Sequence, residues 1–141
     1  MRRTLLASTL CASVLAGTLW SAQAPPATRP YLDAAVGAAR WIDASAIRTP
    51  HGVTGRADRT DPESVSATLY SGSPGVVLFM LELHRATSDA TYLERARLGA
   101  DHLAAIVDEE KAAGLYTGLA GMGYTLIETA NVTREAKYRD A

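Results

Sequence analysis

Residues 69–83 read LYSGSPGVVLFMLEL, and their organisation decides the fold. Ser73 is placed to cap a helix, and Pro74 to open it at the first helical position, where a missing N–H costs nothing. Val76, Val77, Leu78, Phe79, Met80, Leu81 and Leu83 then cover every side of that helix. A helix that is apolar all round is buried all round. Thr87-Ser88-Asp89 ends it and supplies a cap for the next one.

The stretch recurs. Leu115-Tyr116-Thr117-Gly118-Leu119-Ala120-Gly121 mirrors Leu69-Tyr70-Ser71-Gly72-Ser73-Pro74-Gly75 at a shift of 46 residues. The match continues through Glu82 with Glu128, Ala90 with Ala136 and Tyr92 with Tyr138. Between the two copies, residues 92–107 form an amphipathic helix with Leu93, Ala96, Ala100, Leu103 and Val107 on its apolar stripe. Glu94, Arg95, Arg97 and Asp101 are expected to face water. Asp108, Glu109, Glu110 and Lys111 make a solvated end that Gly114 stops.

Upstream, Pro30 opens another amphipathic helix of about 14 residues, a usual length. Its stripe is Leu32, Ala35, Val36 and Ala39, with Arg40 and Asp43 pointing elsewhere. Tyr31-Leu32-Asp33-Ala34-Ala35 resembles Tyr92-Leu93-Glu94-Arg95-Ala96, and Tyr138-Arg139-Asp140-Ala141 begins a third copy. The unit is therefore a helix pair, one member amphipathic and one buried. A period of about 40–50 residues with two helices per unit marks a repeat architecture, in which pairs must stack to bury their apolar faces. The expected fold is all-α, an inner layer of buried helices within an outer layer, with no sheet. Residues 45–66, with Pro50, Gly52, Gly55 and Pro62, show no apolar periodicity and are expected to be a long loop, a common place for function.

The first residues carry a different signal. Arg2 and Arg3 precede an uncharged apolar run over 4–20, and Ala22-Gln23-Ala24 fits a signal-peptidase site. The run is shorter than the roughly 20 apolar residues of a membrane helix. Residues 1–24 are thus expected to be a signal peptide and 25–141 the mature domain, secreted or periplasmic, with no membrane attachment after cleavage. Removing the two arginines takes the formal charge from −1 to −3. Removing Cys11 leaves no cysteine, hence neither disulfide nor thiolate. No basic face suggests nucleic acid.

The glycine pairs do not make a phosphate loop, because no strand precedes them and no Lys-Ser or Lys-Thr follows. They serve a tight turn and a close helix approach. His51, His84 and His102 lie on separate elements without metal-ligand spacing and read as surface or cap residues. Asn131-Val132-Thr133 has the form of a glycosylation sequon and equally of a turn and cap.

With these blocks in view, LYSGSPGVVLFMLELHRATSDATYLERARLGADHL and GLYTGLAGMGYTLIET resemble the N-terminal portion of the lanthionine synthetase C-like (LanC-like) family. The likeness spans about residues 30–141 and implies an α/α toroid, incomplete in this chain. The family's peptide-modifying members are zinc enzymes that add a cysteine thiol to a dehydrated Ser or Thr and close a thioether ring. Their zinc sits on Cys-x-Gly and Cys-His-Gly blocks, and their acid-base Asp and His also lie beyond the first repeats. None of those blocks occurs here. The resemblance therefore assigns no catalytic and no metal-ligating residue to this chain, and zinc is expected only in a longer protein. What transfers is positional: Tyr70, Ser71, Gly72, Tyr116, Thr117 and Gly118 correspond to inner-helix starts that line the mouth of the ring. The implied partner is a peptide or small-molecule substrate.

Two other readings compete with a secreted cyclase-like enzyme. A carbohydrate-active α/α toroid needs two cavity carboxylates, and the inner helices offer Glu82 and Glu128. A non-catalytic binding scaffold needs none. An incomplete ring should also expose apolar area at its open edge, expected on Val76, Val77, Phe79 and Met80, and so aggregate readily.

Overall fold

A computed structural model describes residues 29–58 and 60–141. The proposed signal peptide lies outside the described residues. The order is α1 (Pro30–Ser45), β1 (Ile47–Thr49), β2 (Gly52–Thr54), α2 (Ser73–Thr87), α3 (Ala90–Ile106), a short 3-10 turn (Val107–Glu109), α4 (Leu119–Thr133) and α5 (Lys137–Asp140). The chain is all-α in class. Helices α2 and α4 lie side by side, and α3 packs across both. Val77, Met80, Leu81 and Leu83 of α2 meet Ala96, Ala100 and Leu103 of α3 and Met122, Leu126 and Ala130 of α4 in one core.

The 46-residue repeat recurs in the backbone hydrogen bonds at both ends of the inner helices. Helices α2 and α4 each have 15 residues. Ser73 N–H donates to Ser66 O at 3.0 Å, and Leu119 N–H to Ala112 O at 2.8 Å. Both helices close on a left-handed residue, Ser88 (φ 59°) and Arg134 (φ 64°). Those residues donate to His84 O and Ala130 O. Gly72 and Gly118 are the N-caps, not Ser73 as the sequence suggests. Their carbonyl neighbours leave no room for a side chain: a Cβ on Gly72 would run into Ser66 O, and one on Gly118 into Ala112 O. The Ser73 hydroxyl instead bonds Thr54 Oγ1 at 2.6 Å, which ties α2 to the hairpin.

Three expectations need correction. The 45–66 segment is not wholly loop: Ile47–Thr49 pairs with Gly52–Thr54 in an antiparallel hairpin, with Thr49 opposite Gly52. Three-residue strands are too short to show a period of two. Gly52 (φ 154°) lies so close to Leu98 O that the hairpin can rest on α3 only through a residue without a Cβ. Secondly, Asp43, Arg95, Arg97 and Asp101 do not simply face water. Arg95 Nε lies 3.2 Å from Asp43 Oδ1, Arg97 Nε 2.6 Å from Glu135 Oε1, and Lys137 Nζ 2.6 Å from Asp101 Oδ1. These pairs pin α1 and the start of α5 onto α3. Tyr138 is buried beneath them, and burial pushes its phenol up to about 12, so it stays neutral. Thirdly, Val77 and Met80 are buried and Val76 and Phe79 half-buried, while the exposed large apolar residues include Tyr31 and Trp41 on α1, Tyr70 and Tyr116 in the segments before α2 and α4, and Leu119, Tyr124 and Ile127 on α4. Helix α2 is flanked on both sides; α4 is not.

The N-cap crowding makes a quantitative prediction. Gly118→Ala should destabilise the chain by about 1–3 kcal/mol, as overpacking against rigid atoms does. Gly37→Ala, at an α1 position where a Cβ meets nothing within 4 Å, should gain about 0.5–1 kcal/mol. Urea unfolding midpoints that move in the same direction for both variants would contradict this account.

Candidate functional site

The two lead-in turns, 69–72 and 115–118, precede α2 and α4 and run next to each other. Tyr70 N–H donates to Tyr116 O at 3.2 Å, so equivalent residues of consecutive units are hydrogen-bonded to one another. Both rings project, with Tyr70 85% and Tyr116 64% exposed. Thr68 Oγ1 accepts from Ser71 N–H at 3.3 Å and lies 3.2 Å from Ser71 Oγ, which shapes the first turn. The structure thus brings Tyr70, Ser71, Gly72, Tyr116, Thr117 and Gly118 to one end of the paired inner helices.

Behind the first turn lies a cleft of about 110 Å³. It opens because α1 leans on α2 only lightly, with Ala39 its one buried residue among those described. Val76, Val77 and Met80 form an apolar wall, Trp41 and Ile42 face it from α1, and Ser71 and Gly72 close one end. Arg95 and Arg56 bring positive charge to the rim, offset by Asp43. The Arg95 Nε is buried without an aligned hydrogen bond, so its attraction to Asp43 is electrostatic rather than directional. Reading the sequence misses Trp41, Arg56 and Arg95 here. Only the helical spacing of Trp41 and Ile42 beside the α1 stripe hints at them.

The other polar candidates have structural partners. Arg85 reaches Glu82 on its own helix and Glu128 on α4, the latter at 3.2 Å. One guanidinium thus gathers both inner-helix acids, whereas a glycosidase needs two carboxyls flanking a sugar. His84 Nδ1 lies 2.9 Å from Asp89 O at the α2 end. Asp89 itself caps α3, accepting from Thr91 N–H at 2.8 Å, and that hydrogen bond holds its carboxyl below the usual range. His102 Nδ1 lies 3.3 Å from Thr49 Oγ1, under the hairpin, and His51 at the hairpin turn is near enough to repel its cation. Asn131 is exposed and bonds Glu128 at 3.4 Å.

A lanthionine synthetase C-like family model matches residues 63–141. The chain belongs to that family. Its matched span begins just before the first lead-in turn and takes in α2, α3, α4 and α5. No curated protein matches the chain, and no solved structure matches it.

The zinc that the family implies does not fit the residues present. Two thiolates and an imidazole are needed, and residues 29–141 contain no cysteine. Among the described residues no three of His, Cys, Asp or Glu gather closely enough to hold a metal ion.

Burial, and then the positive charge of His51, hold the His102 imidazole below its ordinary value near 6.5, with Glu109 opposing. The folded state thus binds its proton less readily than the unfolded chain. The stability this confers is fully present above the ordinary value and is lost as the pH falls through the lowered one. We expect the urea midpoint to drop between about pH 7.5 and 5.5, which straddle the ordinary imidazole value. His102→Gln should flatten that dependence. An unchanged pH profile in the variant would remove His102 as its source.

Proposed function

We propose that this chain forms the opening arc of an exported LanC-like toroid and that its paired turns receive a peptide or small-molecule substrate at the mouth of the ring. The observation that carries the reading is the Tyr70 to Tyr116 hydrogen bond. It joins the backbones of two tyrosines, each with an exposed ring, where successive inner helices begin. Rigid aromatic rings with a polar tip bind extended peptides at small entropic cost, because only two torsions are frozen per side chain. The adjoining cleft, at about 110 Å³, is smaller than the roughly 150 Å³ cavity that holds benzene, and so suits a small apolar side chain.

In the family's peptide-modifying members a zinc ion, when bound, favours the thiolate of a substrate cysteine for thioether formation. This chain's own part in such a reaction is recognition and orientation. Export fits the apolar run at 4–20, and among the described residues no helix is long and apolar enough to cross a membrane.

Titration of the chain with a synthetic peptide bearing one cysteine and one dehydroalanine tests the proposal. Binding should be measurable by calorimetry and weaken roughly tenfold, about 1.4 kcal/mol, in the Tyr70→Ala, Tyr116→Ala double variant, with the helical spectrum unchanged. The same sample, dialysed against a mild chelator, should retain no stoichiometric zinc and close no thioether ring. Peptide affinity indifferent to both tyrosines, or one zinc per chain, would overturn the assignment.

A further inference from the structure

The cleft beside α2 is lined by three charged side chains: Asp43 of α1, Arg56 just past the hairpin and Arg95 of α3. Two guanidinium groups against one carboxylate leave one positive charge without a counterpart. Every lining residue falls within 41–99, and none belongs to α4 or α5. The walls are therefore complete well before the flank of α4 that a further helix pair would cover. Arg95 is the polar group least well served there. Its Nε is buried and has no aligned acceptor, although Asp43 Oδ1 stands only 3.2 Å away. A buried donor left without an acceptor is costly, and an anion drawn into the cleft relieves that cost. Beside it, Val76, Val77 and Met80 make an apolar wall around a space of about 110 Å³. A cavity of roughly 150 Å³ holds benzene, so the apolar group that fits here is a short one.

We propose that this cleft binds a short branched aliphatic carboxylate, with its chain against Val76, Val77 and Met80 and its carboxylate on the Arg95 guanidinium. A guanidinium is planar and presents its donors as a fork that matches the two oxygens of a carboxylate. Arg56 adds a second positive charge at the rim and offsets the repulsion from Asp43. One negative charge on the ligand brings the site to neutrality. Isovalerate carries this chemistry as a free acid, and a C-terminal valine carries the same atoms at the end of a peptide. In its peptide form the proposal rests on the peptide reading given above, and in its free-acid form it stands without that reading.

Calorimetric titration of the full chain with isovalerate and with its neutral isostere isovaleramide tests the charge alone. Isovalerate should bind roughly tenfold more tightly than the amide. Arg95→Gln should abolish that preference. Arg56→Gln, at an exposed position, should cut it about threefold and leave the helical spectrum unchanged. A short peptide ending in valine, compared with the same peptide as its C-terminal amide, tests the second source. Each pair differs only at the carboxylate, so a failure of the tyrosine reading leaves both comparisons intact. A preference for the acid in the peptide pair alone assigns the cleft to peptide ends, and one in the isovalerate pair alone assigns it to free acids. No preference in either pair, or a preference that survives Arg95→Gln or is untouched by Arg56→Gln, would overturn the proposal.

Discussion

Each inner helix is held at its start by a backbone hydrogen bond to a residue seven positions earlier, Ser73 to Ser66 and Leu119 to Ala112. The bond folds the lead-in turn back on itself and brings a carbonyl against the N-cap. Only glycine tolerates that contact, so Gly72 and Gly118 follow from the turn rather than from any ligand. Once the turn is closed, the helix leaves it at a fixed angle. The same turn in the next unit then sits beside it, close enough for Tyr70 to bond Tyr116. The geometry of the unit and the spacing between units thus have one origin.

The helices were legible in the sequence because three kinds of signal agreed. Apolar spacing, turn residues at both ends and the 46-residue echo all pointed to the same boundaries, and consistency across levels is what a foldable sequence provides. The far end of α2 was legible in Thr87-Ser88-Asp89, where Ser88 takes the left-handed conformation, whereas Asn131-Val132-Thr133, read as a turn and cap, lies within α4, which runs on to Thr133. Partners of polar residues were not legible. Arg95 and Asp43 look like solvent-facing charges when each helix is read by itself. They meet only because α1 and α3 are brought together by the core. The hairpin escaped notice for a related reason, since its anchor is the close seating of Gly52 on α3 rather than any pattern within the strands.

The candidate site divides along the same line. Tyr70, Ser71 and Gly72 could be placed at a helix start from local motif alone, and their echoes at 116–118 from the repeat. The cleft behind them could not, because it is the space left between helices that pack lightly. Its wall residues Val76, Val77 and Met80 read as core, and they are core on one side. Trp41 and Arg95 come from helices more than 50 positions apart in the chain. A feature made of separation rather than contact leaves no periodicity to find.

Stacked helix pairs draw their stability from nearest neighbours, so every unit has a flank that completes the unit before it and a flank that waits for the unit after. On α2 that second flank is satisfied, and its apolar residues count as core. On α4 the same positions carry Tyr124 and Ile127 in place of Leu78 and Leu81, with Asn131 in place of Arg85. A flank meant to meet water would be expected to gain charge, as terminal units of repeat arrays do. This one loses it. The arginine of α2 that reaches across to Glu128 is replaced on α4 by a neutral amide, Asn131, which bonds Glu128 at the edge of that flank. The flank of α4 thus has the apolar character of the α2–α4 seam, the kind of face against which a further helix of a stacked array packs.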